Sequence, residues 1–109
     1  MGKPTDLVQG TLDFLILRTL EQEPKHGWAI GRRIQQISGE VLQVPQGSLY
    51  PALYRLERQG YLMGKTGQAG NGREVKFYAL TRAGRKHLKK EVELWSRLSK
   101  AINVVIREA

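Results

Sequence analysis

Apolar residues recur every three or four positions in three successive stretches of the N-terminal half of the chain. This spacing places them on one face of a helix, so it predicts three short helices that each turn one side toward a common core. Gly39 follows the second stretch and Gly60 ends the third, as is common where helices end. The periodic stretches are Gly10–Gln22, Ile30–Ile37 and Leu49–Gly60. In the third, the predicted buried stripe is Leu49, Leu53, Leu56 and Gly60.

The start of the third helix has two local solutions. Ser48 can serve as N-cap, which puts Pro51 in the first turn, where its missing N–H costs nothing. A start near Pro45 instead places Pro51 inside the helix. In either case the proline disfavours helical backbone geometry at the preceding residue, Tyr50. Before this helix, Val41–Val44 is too short for a helix and is predicted to be extended.

After the third helix, two extended segments flank a glycine-rich stretch. Glycines tolerate the positive φ angles of tight turns, so the pattern predicts a β-hairpin. In the second strand, the side of Val75 and Phe77 is predicted to pack on the helices while Lys76 points outward. The extended segments are Tyr61–Thr66 and Glu74–Leu80, and the residues expected to supply positive φ are Gly67, Gly70, Asn71 and Gly72.

The C-terminal segment predicts one long helix from Arg82 to Glu108, with Thr81 as its cap. At 1.5 Å per residue it would reach roughly 40 Å, longer than the core of so small a domain requires. Its apolar positions advance by four and three residues in alternation, which is typical of a coiled-coil seam. We therefore predict a homodimer whose seam is Leu88, Val92, Trp95, Ser99, Ile102 and Ile106.

Three helices followed by a hairpin is the order of elements in a winged helix-turn-helix. The predicted fold class is mainly α with a small β-hairpin, extended by a long C-terminal dimerisation helix. Residues 1–80 would form the DNA-binding domain and residues 81–109 the dimerisation helix, both within one compact unit.

The chain of 109 residues carries 18 Lys and Arg against 10 Asp and Glu, a formal net charge of +8. Such an excess suits a polyanion, with double-stranded DNA first and an anionic membrane surface second, although a basic surface without such a partner has the same composition. The absence of cysteine fits a reducing compartment, and we expect the cytoplasm. Neither an apolar leader in Met1–Gln9 nor an apolar run long enough to span a membrane is present.

The third helix and the hairpin carry the candidate DNA contacts. The helix face opposite the leucine stripe is small at its N-terminus and cationic later, so the helix could approach a groove closely. Gln46 could also read adenine through two hydrogen bonds. An ordinary solvated surface would look similar residue by residue. The candidates are Gln46, Gly47, Ser48, Tyr50, Pro51, Tyr54 and Arg55 on the helix, and Lys65, Arg73 and Lys76 on the hairpin.

No catalytic pattern assembles on this sequence, and we expect neither an enzyme nor a cofactor. The glycines around Gly64-Lys65-Thr66 are spaced one residue short of a phosphate-binding loop and lead into a strand. His26 and His87 are the two histidines, too few for a histidine metal site without scattered carboxylates. Ser48 has no evident general base.

Trp28 and Trp95 suggest one more partner. A flat aromatic effector could bind between indoles at a dimer interface, although the favoured interpretation of both residues is that they are ordinary core or interface aromatics.

Over nearly its whole length the sequence resembles the PadR family of bacterial transcriptional regulators. The specific motif is GSLYPALYRLE at Gly47–Glu57, supported by HGWAI at His26–Ile30 and YALTRAG at Tyr78–Gly84. The resemblance implies a homodimer paired through C-terminal helices, which represses transcription from a palindromic operator until a small ligand relieves it. It assigns Gly47, Ser48, Tyr50 and Pro51 to the recognition helix and implies that this helix begins before Ser48.

Two departures from the family pattern are visible. Trp28 stands where many relatives carry tyrosine, and Pro45 stands where many carry a capping residue. The C-terminal part is a single helix, as in short members, so a ligand pocket built by a longer C-terminal domain is not expected. We interpret the sequence as a DNA-binding regulator. The alternative is a winged-helix module that binds protein or RNA and attracts nucleic acid only nonspecifically.

Overall fold

A computed structural model describes residues 5–6 and 9–109, with side chains from Gly10 onward. Most of the N-terminal stretch Met1–Gln9, for which no leader is predicted, lies outside the described residues. The helices are α1 (Gln9–Thr19), α2 (Gly27–Ile37), α3 (Gln46–Arg58) and α4 (Arg82–Glu108). The strands are β1 (Thr5–Asp6), β2 (Lys25–His26), β3 (Leu42–Gln43), β4 (Leu62–Gln68) and β5 (Glu74–Leu80).

The first three helices pack around one hydrophobic core, as the periodic pattern predicts. Each contributes the stripe of leucine and isoleucine that recurs at helical spacing, and β5 and α4 close the core with Tyr78, Leu80 and Leu88. Burial of such side chains stabilises each by about 1.5–3 kcal/mol relative to exposure, which is why these short helices form together. The central buried side chains are Ile16, Leu17, Leu20, Ile30, Leu49, Leu53 and Leu56.

β4 and β5 form the predicted antiparallel hairpin, with Leu62 opposite Leu80 at its base. β2 pairs with the other edge of β5, so the sheet has three strands in the order β2-β5-β4. β2 is only two residues long, too short for a sequence pattern to reveal. The winged helix-turn-helix fold and the mainly α class are confirmed.

The prediction for the faces of β5 is wrong. Tyr78 and Leu80 are buried against the helices, whereas Val75 and Phe77 are half-buried on the outer face. Lys76 therefore shares a face with Tyr78 and points toward α3 instead of away from it. The alternation was ambiguous because the end of the strand is apolar on both faces.

Two glycine predictions also need correction. Gly60 is not part of the buried stripe of the third helix: it follows α3, is exposed, and has φ 86°. At the hairpin tip, positive φ belongs to Gly72 alone among the residues expected to supply it. Gly67 instead leaves room for a ring, since a Cβ there would lie 3.0 Å from the Phe77 side chain.

α3 begins at Gln46, with Pro45 in the capping position, and Pro51 lies inside the helix. The earlier of the two starts is therefore the observed one. α4 runs from Arg82 to Glu108 as predicted, and the Thr81 hydroxyl accepts a hydrogen bond of 3.0 Å from the Gly84 amide. The cap sets where the long helix leaves the sheet.

Candidate nucleic-acid interface

A concave cleft of about 720 Å³ lies between α3, the start of α2 and the β4–β5 hairpin, which we call the wing. α3 forms one wall with Gln46, Tyr50 and Tyr54. The wing forms the other wall, with cations near its tip. The residues that β2, α2 and the wing contribute are His26, Gly27, Trp28, Ala69, Gly70, Asn71, Arg73, Val75, Lys76 and Tyr78.

The predicted contacts in the first half of α3 are solvent-facing. Gln46, Gly47, Ser48 and Pro51 are exposed, as is Tyr54 in the second half of the helix. These side chains are small or polar, and the first-turn amides of a helix favour negative charge. This half of α3 can therefore approach a phosphate backbone or a groove.

Tyr50 is half-buried because it packs on the start of α2. A Cβ placed on Gly27 would lie 2.6 Å from the Tyr50 ring, so the two helices approach each other more closely than any larger residue would allow. Tyr50 thus has two surfaces, one against α2 and one in the cleft. Its predicted role as a contact is compatible with its additional role in packing.

Arg55 does not line the cleft. Its guanidinium donates to Asp13 of α1 at 2.6 Å, and its side chain is only 24% exposed. Burial raises the pKa of the Asp13 carboxyl, while the hydrogen bond from Arg55 acts in the opposite direction. The pair ties α3 to α1, so a direct contact of Arg55 with DNA would require this bond to open.

The three wing cations are exposed but do not share one surface. Arg73 and Lys76 line the cleft. Lys65 stands opposite Phe77 in the strand register, on the outer face of the sheet, and it is not among the cleft residues. Lys76 donates to Glu57 of α3 at 2.8 Å, so it is already paired. Arg73 extends the positive charge toward the wing tip.

Trp28 lies at the edge of the cleft, which the sequence did not indicate. Its side chain is 58% exposed and stacks near His26, with ring centroids 6.4 Å apart. Trp95 is on a different surface, where it packs against Phe14 of α1 at 5.9 Å. Within one chain the two indoles therefore do not form a joint aromatic site. His26 ends the short strand β2 and Trp28 follows it at the start of α2. Only the sheet pairing reveals the position of this strand.

α4 carries the predicted dimerisation seam, but its residues differ in environment. Leu88 is 3% exposed in the core of its own chain, and Ser99 is half-buried. The remaining seam residues are 41–74% exposed: Val92, Trp95, Ile102 and Ile106.

A second apolar stripe runs beside this seam on α4, formed by the exposed residues Leu94, Leu98 and Val105. The heptad pattern missed it because that pattern follows one line of residues along the helix. The two stripes together form a wide apolar surface on the part of α4 beyond the core. We call this surface the α4 apolar face.

The described part of the chain holds no group of three or more histidine or carboxylate side chains placed to bind a metal ion. Nor does any helix of that part combine the length and hydropathy required to span a bilayer.

The arrangement of helices, wing and cleft defines a winged helix-turn-helix protein. Residues 16–90 match the model of the transcriptional regulator PadR-like family, and the chain belongs to that family. Similar solved structures support this assignment. The smu.1704 protein of Streptococcus mutans is 30% identical, with a TM-score of 0.84 over 99% of this chain and 95% of that one.

A transcriptional regulator from Clostridium thermocellum is also 30% identical, with a TM-score of 0.78 over 86% of this chain and 91% of that one. A PadR-like transcription factor from Bacteroides fragilis is 28% identical, with a TM-score of 0.73 over 89% and 91%. The family assigned from the YPALYRLE motif is thus confirmed.

Proposed function

We propose that this protein is a sequence-specific DNA-binding regulator that binds a palindromic operator as a homodimer and represses transcription. The cleft between α3 and the wing is the observation that carries the proposal. Beside the cleft, the exposed start of α3 carries the small residues Gly47 and Ser48. The wing wall carries the exposed cation Arg73 near its tip. A recognition helix in the major groove with a cationic wing against the adjacent backbone needs both features.

The α4 apolar face supports the dimer. Its apolar side chains remain largely exposed in the single chain, since they lie on the part of the helix beyond the core. An apolar patch of this kind is typical of a protein–protein interface. Pairing two copies through α4 would present two α3 helices, and a spacing of about 34 Å would let them enter successive major grooves.

The test is to select genomic fragments with the purified protein and to titrate the enriched duplex against a scrambled one. We expect a shared inverted repeat that binds at least ~1000-fold more tightly than the scramble. Equal binding to both duplexes, with a steep loss of affinity as salt rises, would contradict the proposal. It would favour the alternative, a winged-helix module whose partner is a protein or an RNA.

Ser48 offers a first site-specific check, since it is exposed in the first turn of α3. Ser48→Ala should weaken operator binding by about tenfold if the hydroxyl donates to phosphate or a base edge, and it should leave the dimer intact. Ser96→Ala, an exposed serine on α4, is the matched control. If both variants bind like the wild type, the placement of the operator against α3 is wrong.

A flat aromatic effector remains a prediction. In the proposed dimer, Trp95 of each copy would belong to the α4 apolar face, where a planar molecule could insert between the two helices. Quenching of tryptophan fluorescence by planar aromatic compounds would test it. A variant that lacks Trp95 but keeps Trp28 should lose the response.

A further inference from the structure

Lys76 and Glu57 connect the wing to the recognition helix. Glu57 lies near the end of α3, and its carboxylate accepts from the Lys76 ammonium at 2.8 Å. The same ammonium lies 5.4 Å from the centre of the Tyr78 ring. The hydrogen bond to Glu57 raises the pKa of Lys76, so the Lys76 ammonium stays charged at neutral pH.

Gly64 makes room for this connection. It stands opposite Tyr78 in the register of the wing, between Lys76 and the helix. A Cβ on Gly64 would overlap the Lys76 Cε atom and would lie 3.0 Å from a Glu57 carboxylate oxygen. The Lys76 stem thus crosses β4 in the space that a side chain at position 64 would otherwise occupy.

Lys76 lies at a point along the wing where its bond to Glu57 can control the orientation of the outer hairpin. Tyr78 and Leu80, at the base of β5, are held by the hydrophobic core, whereas Lys76 and Glu74 are exposed. The outer part of the hairpin is therefore not fixed by burial. The Lys76–Glu57 bond lies between the buried base and the exposed outer part of the hairpin. A small change there in the angle between the wing and α3 becomes a larger displacement at the wing tip.

We propose that Glu57, Lys76 and Gly64 form a latch that sets the angle of the wing relative to the recognition helix. Lys76 is then a positioning residue. The sequence instead predicts it to be a DNA contact. The inference rests on the proposed DNA-binding function. An exposed pair of this kind adds little to folding stability. Its effect should appear instead in how accurately the wing and α3 meet one operator together.

The two roles of Lys76 predict opposite results for Glu57→Gln. If the pair is a latch, the operator affinity falls by roughly three- to fivefold, the size expected for an exposed ion pair, and the salt dependence is unchanged. The charge-swapped double variant Glu57→Lys/Lys76→Glu should restore the affinity to within about twofold, because it rebuilds the bond. Glu74→Gln, which removes the same charge from an exposed wing position, should not lower the operator affinity.

If Lys76 instead contacts phosphate, Glu57→Gln releases it and raises the affinity for operator and scramble alike. Lys76→Gln then lowers the salt slope by about one, and the charge swap does not restore binding. Either this pattern or an unchanged affinity in Glu57→Gln overturns the latch.

A second measurement on the free protein is independent of DNA. The chain has no cysteine, so Asn71→Cys at the wing tip and Arg58→Cys in α3 can carry two spin labels without background. Glu57→Gln and Gly64→Ala should each broaden the distance distribution between the labels, while Glu74→Gln leaves it narrow. Unchanged distributions overturn the latch even if the operator is bound, and broadened ones support it even if no operator is found.

Discussion

Two exposed surfaces of this molecule have opposite chemistry. The cleft between α3 and the wing exposes small and polar groups, two cations and the edges of aromatic rings. The α4 apolar face exposes leucine, isoleucine and valine instead. A polar surface keeps its hydration until a charged partner replaces the water and counterions, whereas an apolar surface of that kind gains free energy from burial alone. The difference supports the proposed division of roles, with a polyanionic partner at one surface and a second copy of the chain at the other.

The largest expected effect comes from placing a charge in the α4 apolar face. Ile102→Glu should leave the monomer folded, because Ile102 is exposed in the single chain. In a dimer the unpaired carboxylate would be buried, at a cost of about 3–5 kcal/mol. Sedimentation velocity should therefore show monomers at concentrations where the wild type is dimeric, and operator affinity should fall in parallel.

Val104→Glu is the matched control for Ile102→Glu. Val104 is also exposed on α4, but it lies about 200° around the helix from Ile102. The same change of chemistry should therefore leave the dimer intact. Equal dissociation by both variants would show that the loss reflects added charge on α4 and not a specific seam.

The next largest effect concerns the contact between the first turn of α4 and the start of the wing. Gly84 is buried in the first turn of α4, and a Cβ there would overlap the carbonyl oxygen of Tyr61 at the start of the wing. Gly84→Ala must displace backbone, which should cost about 1–3 kcal/mol of unfolding free energy or more. Urea denaturation measures this loss. Gly70→Ala, where the added methyl meets nothing within 4 Å, should be close to neutral, and similar losses in the two variants would contradict the packing argument.

Much of the fold follows from periodicity, because burial imposes a helical repeat on residues such as Leu49, Leu53 and Leu56. The α4 boundaries follow equally from the Thr81 cap and the alternating spacing. The faces of β5 could not be predicted because both of them are apolar near Leu80. Which face is buried depends on how the hairpin docks on α3, and that is a tertiary property.

The candidate site was less predictable than the fold. The leucine stripe of α3 predicts which residues in its first half are exposed. It does not predict the partners of Arg55 and Lys76. Asp13 lies 42 positions before Arg55 in the chain, and no local pattern connects them. Long cationic side chains reach whichever carboxylate the fold brings near, so a sequence shows their charge but not its use.

A smaller effect would sharpen the assignment of the polar surface. Gly47 is exposed in the first turn of α3, and an added Cβ there meets nothing within 4 Å. Gly47→Ala should leave the melting temperature unchanged or slightly higher, since alanine favours helix over glycine by about 0.5–1 kcal/mol. If α3 enters a groove at this point, the methyl group should still weaken operator binding by about tenfold. Titration of the operator together with thermal unfolding separates the two effects.

Gly10→Ala provides the control for Gly47→Ala. Gly10 lies in the first turn of α1, and an added Cβ there meets none of the described residues within 4 Å. It should therefore show the same small change in stability without any change in operator affinity. An unchanged operator affinity for Gly47→Ala would mean that the start of α3 does not approach the DNA.

The smallest expected effect is a pH dependence from the pair beneath the recognition helix. Burial raises the pKa of Asp13 above its ordinary value of 3.8, so the folded protein holds this proton at a higher pH than the unfolded chain does. The unfolding free energy attributable to Asp13 must therefore fall as pH rises from 3.8 through the raised pKa, and then remain constant. Asp13→Asn removes this titration but leaves the other carboxylates, so the wild type should lose stability relative to the variant across that window. Urea denaturation of both proteins at a series of pH values measures the difference. Parallel stability curves would show that Arg55 compensates fully for the burial of Asp13, and an opposite slope would mean that the ion pair outweighs desolvation.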